Sequence, residues 1–264
     1  RPILVEARQV VVGTGAVDNM LAFPNNDLPG VYGAGGLQTL MNVFGVLPGE
    51  RALIVGAGNV GLILAYQLLQ AGARVEAVVE IMPRIGGYFV HAAKIRRLGV
   101  PILLRHTIVR ALGRERVEGA EIARVDESWR PVEGTERVLD VDMVVLAVGL
   151  SPSCELPAQA GAEIAYVPEL GGNVPLHGET LRTTVEGMWV AGDASGIEEA
   201  TTAMLEGKIA GADAASELGY RPDRADSIVR EALEELEAFR SGPFSERVVR
   251  GKRRVWREYG EVVG

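Results

Sequence analysis

A single cysteine, Cys154, stands in 264 residues, and one thiol excludes an internal disulfide, a CxxC redox pair and a cysteine-based zinc cluster. Any redox chemistry must therefore come from a bound cofactor. Cys154 itself reads as a packed or idle thiol. Histidine is nearly as scarce: His91, His106 and His177 are the only three. They lack metal-ligand spacing, so each is expected to be structural or exposed and no metal is expected. No GxSxG elbow and no paired-carboxylate motif stands out. No uncharged apolar stretch approaches the ~20 residues that a membrane helix needs, and the first residues do not form a signal peptide. The expectation is a cytoplasmic protein without membrane insertion. An excess of positive charge is missing as well: the net charge of -8 argues against nonspecific binding to nucleic acid. The locally basic run 250–257 reads as a solvated helix face.

What is present is apolar residues and glycine. The chain is 47% hydrophobic with 33 glycines, which suits a soluble α/β protein rich in tight strand-to-helix turns, and its length allows two ordinary domains. It opens without Met in Arg1-Pro2-Ile3-Leu4-Val5-Glu6, directly ahead of the strand-like run Val10-Val11-Val12. That opening reads as the interior of a domain, so an upstream segment is expected. Gly13-Thr14-Gly15-Ala16 turns the strand toward a ligand. The turn formers Phe23-Pro24-Asn25-Asn26-Asp27-Leu28-Pro29-Gly30 read as a linker between domains.

A helix is expected over 38–44, and then the clearest unit begins. Ala52-Leu53-Ile54-Val55 shows no alternation, as in a strand buried on both faces of a parallel sheet. A buried helix over 61–70 and a second strand over 75–79, ending in Glu80, complete a βαβ unit. Another helix is expected over 91–98, with short strands at 102–104 and 108–109. Residues 114–142 alternate loosely, as in a small antiparallel meander. Residues 143–149 form a buried strand ending in Gly149, the stretch to 182 has no clear assignment, and Met188-Trp189-Val190-Ala191-Gly192-Asp193 is a strand ending in an acid. A helix over 199–218 follows, and then an amphipathic helix with Val229, Ala232, Leu233 and Leu236 on one face.

The strongest motif is Gly56-Ala57-Gly58-Asn59-Val60-Gly61 at the strand-to-helix junction. A diphosphate needs close backbone approach, unpaired N–H donors and a favourable dipole, and this junction supplies all three. Gly56 permits the turn, Gly58 removes a Cβ that would strike the diphosphate, and Gly61 lets the helix pack against the strand. Glu80 supplies an acid that accepts hydrogen bonds from an adenosine ribose and repels a 2′-phosphate, so NADH is expected over NADPH, with nearby Arg84 as the residue that could instead reach a phosphate. Near the other end, Asp193 is placed to accept hydrogen bonds from the sugar alcohol of a flavin. The helix start at Ala200-Thr201-Thr202 would present amides and a positive dipole to the ring edge where charge builds on reduction. The simpler alternative is that Asp193 caps a turn.

Taken in order, Gly13-Thr14-Gly15-Ala16, the GxGxxG unit with Glu80, Val145-Leu146-Ala147-Val148-Gly149 with Pro152, and Val190-Ala191-Gly192-Asp193 resemble the pyridine nucleotide-disulfide oxidoreductase superfamily. The runs at 23–31 and 47–49 are most similar to the flavoprotein alpha subunits of sarcosine oxidase and L-proline dehydrogenase and to a hydrogen cyanide synthase subunit. The resemblance implies an α/β fold: a Rossmann-like three-layer NAD-binding domain inserted into an incomplete FAD-binding domain, plus C-terminal helices. It divides the chain into 1–22 and 156–220 for FAD, 23–155 for NAD, and a helical tail at 221–264. It implies that Thr14 and Gly15 lie against FAD, that Gly56, Gly58, Asn59, Val60, Gly61 and Glu80 hold NAD, that Gly149 borders the NAD site, and that Gly192 and Asp193, with the helix start at Ala200 and Thr201, hold the flavin. The superfamily's first FAD-binding βαβ unit would precede Arg1.

The implied activity is hydride transfer between NADH and FAD within an amine or amino-acid dehydrogenase or oxidase complex. A second flavoprotein or electron-accepting subunit is the implied partner. No protein acid or base is needed for that step, and no catalytic residue is named. Two alternatives remain open at this point: a disulfide or peroxide reductase whose cysteine lies upstream, and a noncatalytic NAD-binding or assembly module.

Overall fold

The computed structural model describes residues 2–242 and 244–264; the expected opening at Arg1 lies outside them. Two compact units form: a continuous one, Asp18–Gly149, and a discontinuous one, made of the residues up to Val17 together with Leu150–Gly264. The first strands are β1 (Val10–Val12) and β2 (Ala16–Asp18), the latter crossing the boundary by one residue.

The continuous unit then runs β3 (Val31–Gly33), α1 (Ala34–Asn42), β4 (Arg51–Val55), α2 (Asn59–Gln70), β5 (Arg74–Glu80), α3 (Phe89–Arg97), β6 (Ile102–Leu104), β7 (His106–Leu112), β8 (Gly119–Arg124), β9 (Arg137–Leu139) and β10 (Met143–Leu146). Its main sheet has the order β3-β10-β4-β5-β6 with every pair parallel. The meander expected over 114–142 is β7-β8-β9, antiparallel throughout, and it starts earlier, because the short strand expected at 108–109 is part of β7 and pairs with β8.

Three layers follow from the absence of alternation. On β4 and β10, Ala52, Ile54, Met143 and Val145 join a core with Leu62, Leu64, Leu68, Ala92 and Ile95 of α2 and α3. Their neighbours Leu53, Val55, Val144 and Leu146 face Ile108, Ala111, Ala120 and Ile122 of the meander. Each fully buried Val, Leu, Ile or Met side chain among these contributes about 1.5–3 kcal/mol, so a strand packed on both faces must be apolar at every position. The run read as a linker is itself packed: Phe23 and Leu28 lie on the meander-side core, and Asn25 Nδ2 donates to the Ala111 carbonyl at 2.9 Å.

In the discontinuous unit the chain continues as β11 (Leu150–Pro152), α4 (Glu155–Gln159), β12 (Ile164–Val167), β13 (Gly172–Pro175), β14 (Met188–Val190), α5 (Ala200–Glu217), α6 (Pro222–Arg240) and α7 (Glu246–Val263). The stretch to 182, without a clear assignment from sequence, holds α4 and the antiparallel hairpin β12-β13. β1 pairs with β14 in parallel, with Val12 opposite Val190. Trp189, Leu205, Ile209, Ala210 and Ala214 pack with Ala232 and Leu236, and Val229 and Leu233 are partly buried beside them. That is the apolar face expected of α6. Val255 of α7 packs on Val167, Leu170 and Val174 of the hairpin region.

One reading of the basic run is corrected. Lys252, in the middle of the supposedly solvated 250–257 segment, is 1% exposed. An ammonium is withdrawn from water only when anions and hydrogen-bond acceptors replace it, and those lie on α5 and in the segment leading into it, where local pattern does not show them. No helix among the described residues is long and apolar enough to cross a membrane.

Candidate functional site

In the continuous unit the parallel strand β4 runs into the glycine turn, and α2 starts at Asn59 with no acidic residue in its first turn. The three glycines differ in what they do. Gly56 has φ +107°, in the region that favours glycine, and a Cβ there would strike the Ala147 carbonyl. A Cβ on Gly61 would strike the Gly56 carbonyl. At Gly58 a Cβ would meet nothing within 4 Å. Gly56 and Gly61 are therefore required by the fold, whereas Gly58 opens the backbone toward the space ahead of the helix N-terminus. The residues present fit a dinucleotide diphosphate at this cradle. Val60 sits behind it, partly buried against the helix-side core.

Glu80 ends β5 and is 8% exposed. Its Oε2 accepts the Ala57 N–H at 2.8 Å and its Oε1 accepts the Met82 N–H at 2.9 Å. The acid thus ties the strand end to the glycine turn, and each oxygen keeps a second lone pair for a ribose hydroxyl. A further wall is absent from the sequence reading. Gly86 and Gly87 donate backbone N–H groups to the Ala57 carbonyl at 3.1 and 3.0 Å, and the Tyr88 N–H donates to Asn59 Oδ1 at 2.8 Å. The Gly86-Gly87 pair was the available signal, because a Cβ on Gly87 would lie 2.8 Å from the Asn59 nitrogen. Gly149 lies past the end of β10 at φ +122°, where its Cβ would lie 3.0 Å from Asn19 Nδ2.

The discontinuous unit holds the other expected residues. The Thr14 hydroxyl donates to the Ser153 carbonyl at 2.7 Å, the Ser153 N–H donates to the Gly15 carbonyl at 2.9 Å, and Gly15 has φ +71°. At the end of β14, Gly192 has φ +70°. Among the described residues, the Asp193 carboxylate accepts a single long bond, from the Glu198 N–H at 3.4 Å. Burial pushes its pKa up; that backbone bond pulls it down, and the nearby Glu206 and Glu198 push it up further. α5 begins at Ala200, with Thr201 next, no acidic residue in its first turn and no side-chain cap from Glu199. A half-buried acid beside an uncapped helix N-terminus fits the sugar alcohol and ring edge of a flavin.

Behind this turn stands a buried charge network that sequence reasoning missed. Glu206 Oε2 accepts the Gly192 N–H at 2.9 Å and the Ser195 hydroxyl at 2.7 Å. Its Oε1 faces Arg240 Nη2 at 2.7 Å and Lys252 Nζ at 2.8 Å. Burial pushes the Glu206 carboxyl up, but the Lys252 and Arg240 cations outweigh it and hold the pKa at about 2. The cysteine offers no rival chemistry: burial pushes the Cys154 thiol up, and so does Glu155 beside it, the reverse of an activated thiolate.

A glycine turn ahead of one helix and a Gly-Asp turn ahead of another define a class, the oxidoreductases that use FAD with NAD(P)H. Within it the chain belongs to the pyridine nucleotide-disulphide oxidoreductase family, whose sequence profile matches residues 4–207. An opine oxidase subunit of Agrobacterium tumefaciens (strain Ach5) is 28% identical over 227 residues, which cover 81% of this chain and 44% of that protein. The alpha subunit of sarcosine oxidase from Rhizobium meliloti (strain 1021) is 27% identical over 227 residues, 86% of this chain and 20% of that one. The crystal structure of L-proline dehydrogenase from P. horikoshii matches with a TM-score of 0.57 and 27% identity, over 85% of this chain and 38% of that one. The chain thus spans less than half the length of these relatives. The expected superfamily is found, and the relatives include the sarcosine oxidase and L-proline dehydrogenase proteins that the resemblance named.

Proposed function

We propose that this chain binds NADH on its continuous unit and the flavin end of FAD on its discontinuous unit, as the nicotinamide-accepting part of an amine or amino-acid oxidase or dehydrogenase complex. The observation that carries the reading is the pairing of two cradles in one chain: Gly58 open at the start of α2, and Asp193 half-buried beside the uncapped start of α5. The relatives' names, two of them oxidase subunits and one a dehydrogenase of an amino acid, support the substrate class and the presence of a second subunit.

Bound together, the two cofactors supply hydride transfer between nicotinamide and flavin. The chain's residues supply binding and orientation. Amides at Gly58, Asn59 and Val60 face a diphosphate with the α2 dipole behind them. Glu80 accepts from ribose hydroxyls and repels a 2′-phosphate, which favours NADH. Asp193 accepts from the sugar alcohol, and the amides around Ala200 and Thr201 stabilise negative charge at the ring edge. Thr14 and Gly15 form a turn alongside, and Gly149 borders the nicotinamide coenzyme.

Titration tests the proposal. The full chain loaded with FAD and mixed anaerobically with NADH is expected to lose its visible flavin absorbance, and NADPH is expected to act much more weakly. NADH binding with no bleaching after FAD addition would instead identify a noncatalytic NAD-binding module.

A further inference from the structure

Glu198, Glu206, Arg240 and Lys252 form a buried cluster of two anions and two cations, with side chains 7%, 3%, 9% and 1% exposed. Arg240 pairs with both carboxylates. The Lys252 ammonium reaches Glu206 Oε1 and the Ser195 hydroxyl, each at 2.8 Å, the Ser195 carbonyl at 3.2 Å, and Glu198 Oε1 at 3.5 Å. Five segments meet here: α5 gives Glu206, α6 gives Arg240, α7 gives Lys252, the Gly192–Ser195 turn gives a backbone N–H, a hydroxyl and a carbonyl, and the stretch between that turn and α5 gives Glu198. Desolvating four charges costs more than a packed apolar core would, so such a cluster is weak evidence for stability alone. What it supplies is geometry. One carboxylate holds the N–H of Gly192 and the hydroxyl of Ser195, the residues that flank Asp193 and Ala194, and that carboxylate is aimed by cations from two other helices.

We propose that Lys252 and Glu206 are positioning residues for the flavin: helices α6 and α7 act as a clamp that, through Glu206, fixes the turn presenting Asp193. The inference rests on the flavin reading of Gly192 and Asp193 given above. The left-handed Gly192, at φ +70°, needs an acceptor for its part-buried N–H to hold the turn. Glu206 keeps that lone pair directed only while its other oxygen is anchored. Removing Lys252 leaves Arg240 to balance two carboxylates by itself. The turn then loses its anchor, although neither residue touches the cofactor.

The test uses the full chain titrated with FAD, with three variants. Lys252→Met is expected to raise the FAD dissociation constant at least tenfold, to lower the midpoint potential of the flavin that remains bound, and to leave NADH affinity unchanged. Val255→Ala, three residues along the same helix and buried in a different cluster, is expected to lower Tm but to keep FAD affinity and potential. Asp193→Ala reports on the underlying reading and should abolish tight FAD binding. Lys252→Met with wild-type FAD affinity and potential, or Val255→Ala with the same losses, overturns the clamp while Asp193→Ala leaves the flavin site standing. Unaltered FAD binding in Asp193→Ala removes both.

Discussion

The Glu80 carboxylate accepts the Ala57 N–H at 2.8 Å, so the acid that ends β5 also fixes the glycine turn that ends β4. Its second oxygen is engaged by the Met82 N–H, and a coenzyme ribose would bind to a carboxylate already held in place. Glu80→Ala leaves two backbone donors without their acceptor, at about 1–3 kcal/mol for each that stays buried. The expected outcome is a lower Tm, NADH binding weakened by roughly tenfold, and a smaller preference for NADH over NADPH. Parallel titrations with both coenzymes check it. An unchanged preference would leave Glu80 with a structural role only.

The glycine turn allows folding and binding to be separated within one motif. Gly56→Ala puts a Cβ against the Ala147 carbonyl at φ +107°, and Gly61→Ala puts one against the Gly56 carbonyl. In both cases backbone must shift, at roughly 2–4 kcal/mol. Gly58→Ala meets open space and should unfold like the parent chain. If a diphosphate docks there, Gly58→Ala nevertheless loses about tenfold or more in NADH affinity. Urea unfolding and NADH titration of the three variants read the two effects apart. A Gly58→Ala protein with parental affinity would place the diphosphate elsewhere.

These separate roles show what the sequence carries and what it does not. The apolar runs at β4 and β10 are legible because burial on both faces demands apolar side chains at consecutive positions. The glycine turn and Asp193 are legible because backbone geometry and strand ends restrict residue choice locally. Lys252 is not: its partners in Ser195 and Glu206 lie 57 and 46 residues away, and within its own helix it looks like one more cation among Arg250, Arg253 and Arg254. The return of residues 86–88 onto the turn is half legible: its backbone hydrogen bonds to Ala57 could come from any residue with an N–H, and the close approach of Gly87 to Asn59 is what restricts residue choice.

His177 gives the discontinuous unit a pH dependence of calculable sign. The imidazole is fully buried, Nδ1 donates to the Gly178 carbonyl at 2.8 Å, and Nε2 has no hydrogen-bond partner among the described residues. Burial, reinforced by the Lys252 charge, lowers its pKa from 6.5 to about 4. The unfolded chain therefore binds a proton below pH 6.5 that the native state refuses until about pH 4, and stability falls as pH falls through that window. Between pH 7 and 5 this one group removes about 2 kcal/mol. Glu206, held at about 2, adds its own loss only below its ordinary value of 4.5. Urea unfolding of the parent and His177→Asn at pH 7 and pH 5 checks the sign. The variant starts less stable, because a packed ring is replaced, but loses less on acidification. Equal losses would assign the acid sensitivity to other groups.

The start of α1 carries Gly33-Ala34-Gly35-Gly36, which resembles an anion cradle in composition, but it is already filled. Both oxygens of Asp18 accept the Gly35 N–H, at 3.2 and 3.0 Å, and Oδ2 also lies 3.3 Å from the Gly36 nitrogen. The helix's own N-cap, Gly33, contributes no side-chain bond, so a carboxylate from a distant strand does the capping and neutralises the positive end of the helix dipole. It also accounts for α1 starting at Ala34, four residues before the apolar pattern shows it. Asp18→Ala should cost about 1–2 kcal/mol, and Asp18→Asn, which keeps an acceptor but drops the charge, about half of that. Losing the charge has a second consequence. In Asp18→Ala the freed amides face no anion, so added sulfate should raise the Tm of the variant more than that of the parent chain. Thermal unfolding with and without sulfate, at matched ionic strength in chloride, measures the difference. Equal shifts would mean that the amides of Gly35 and Gly36 find another internal acceptor once Asp18 is gone.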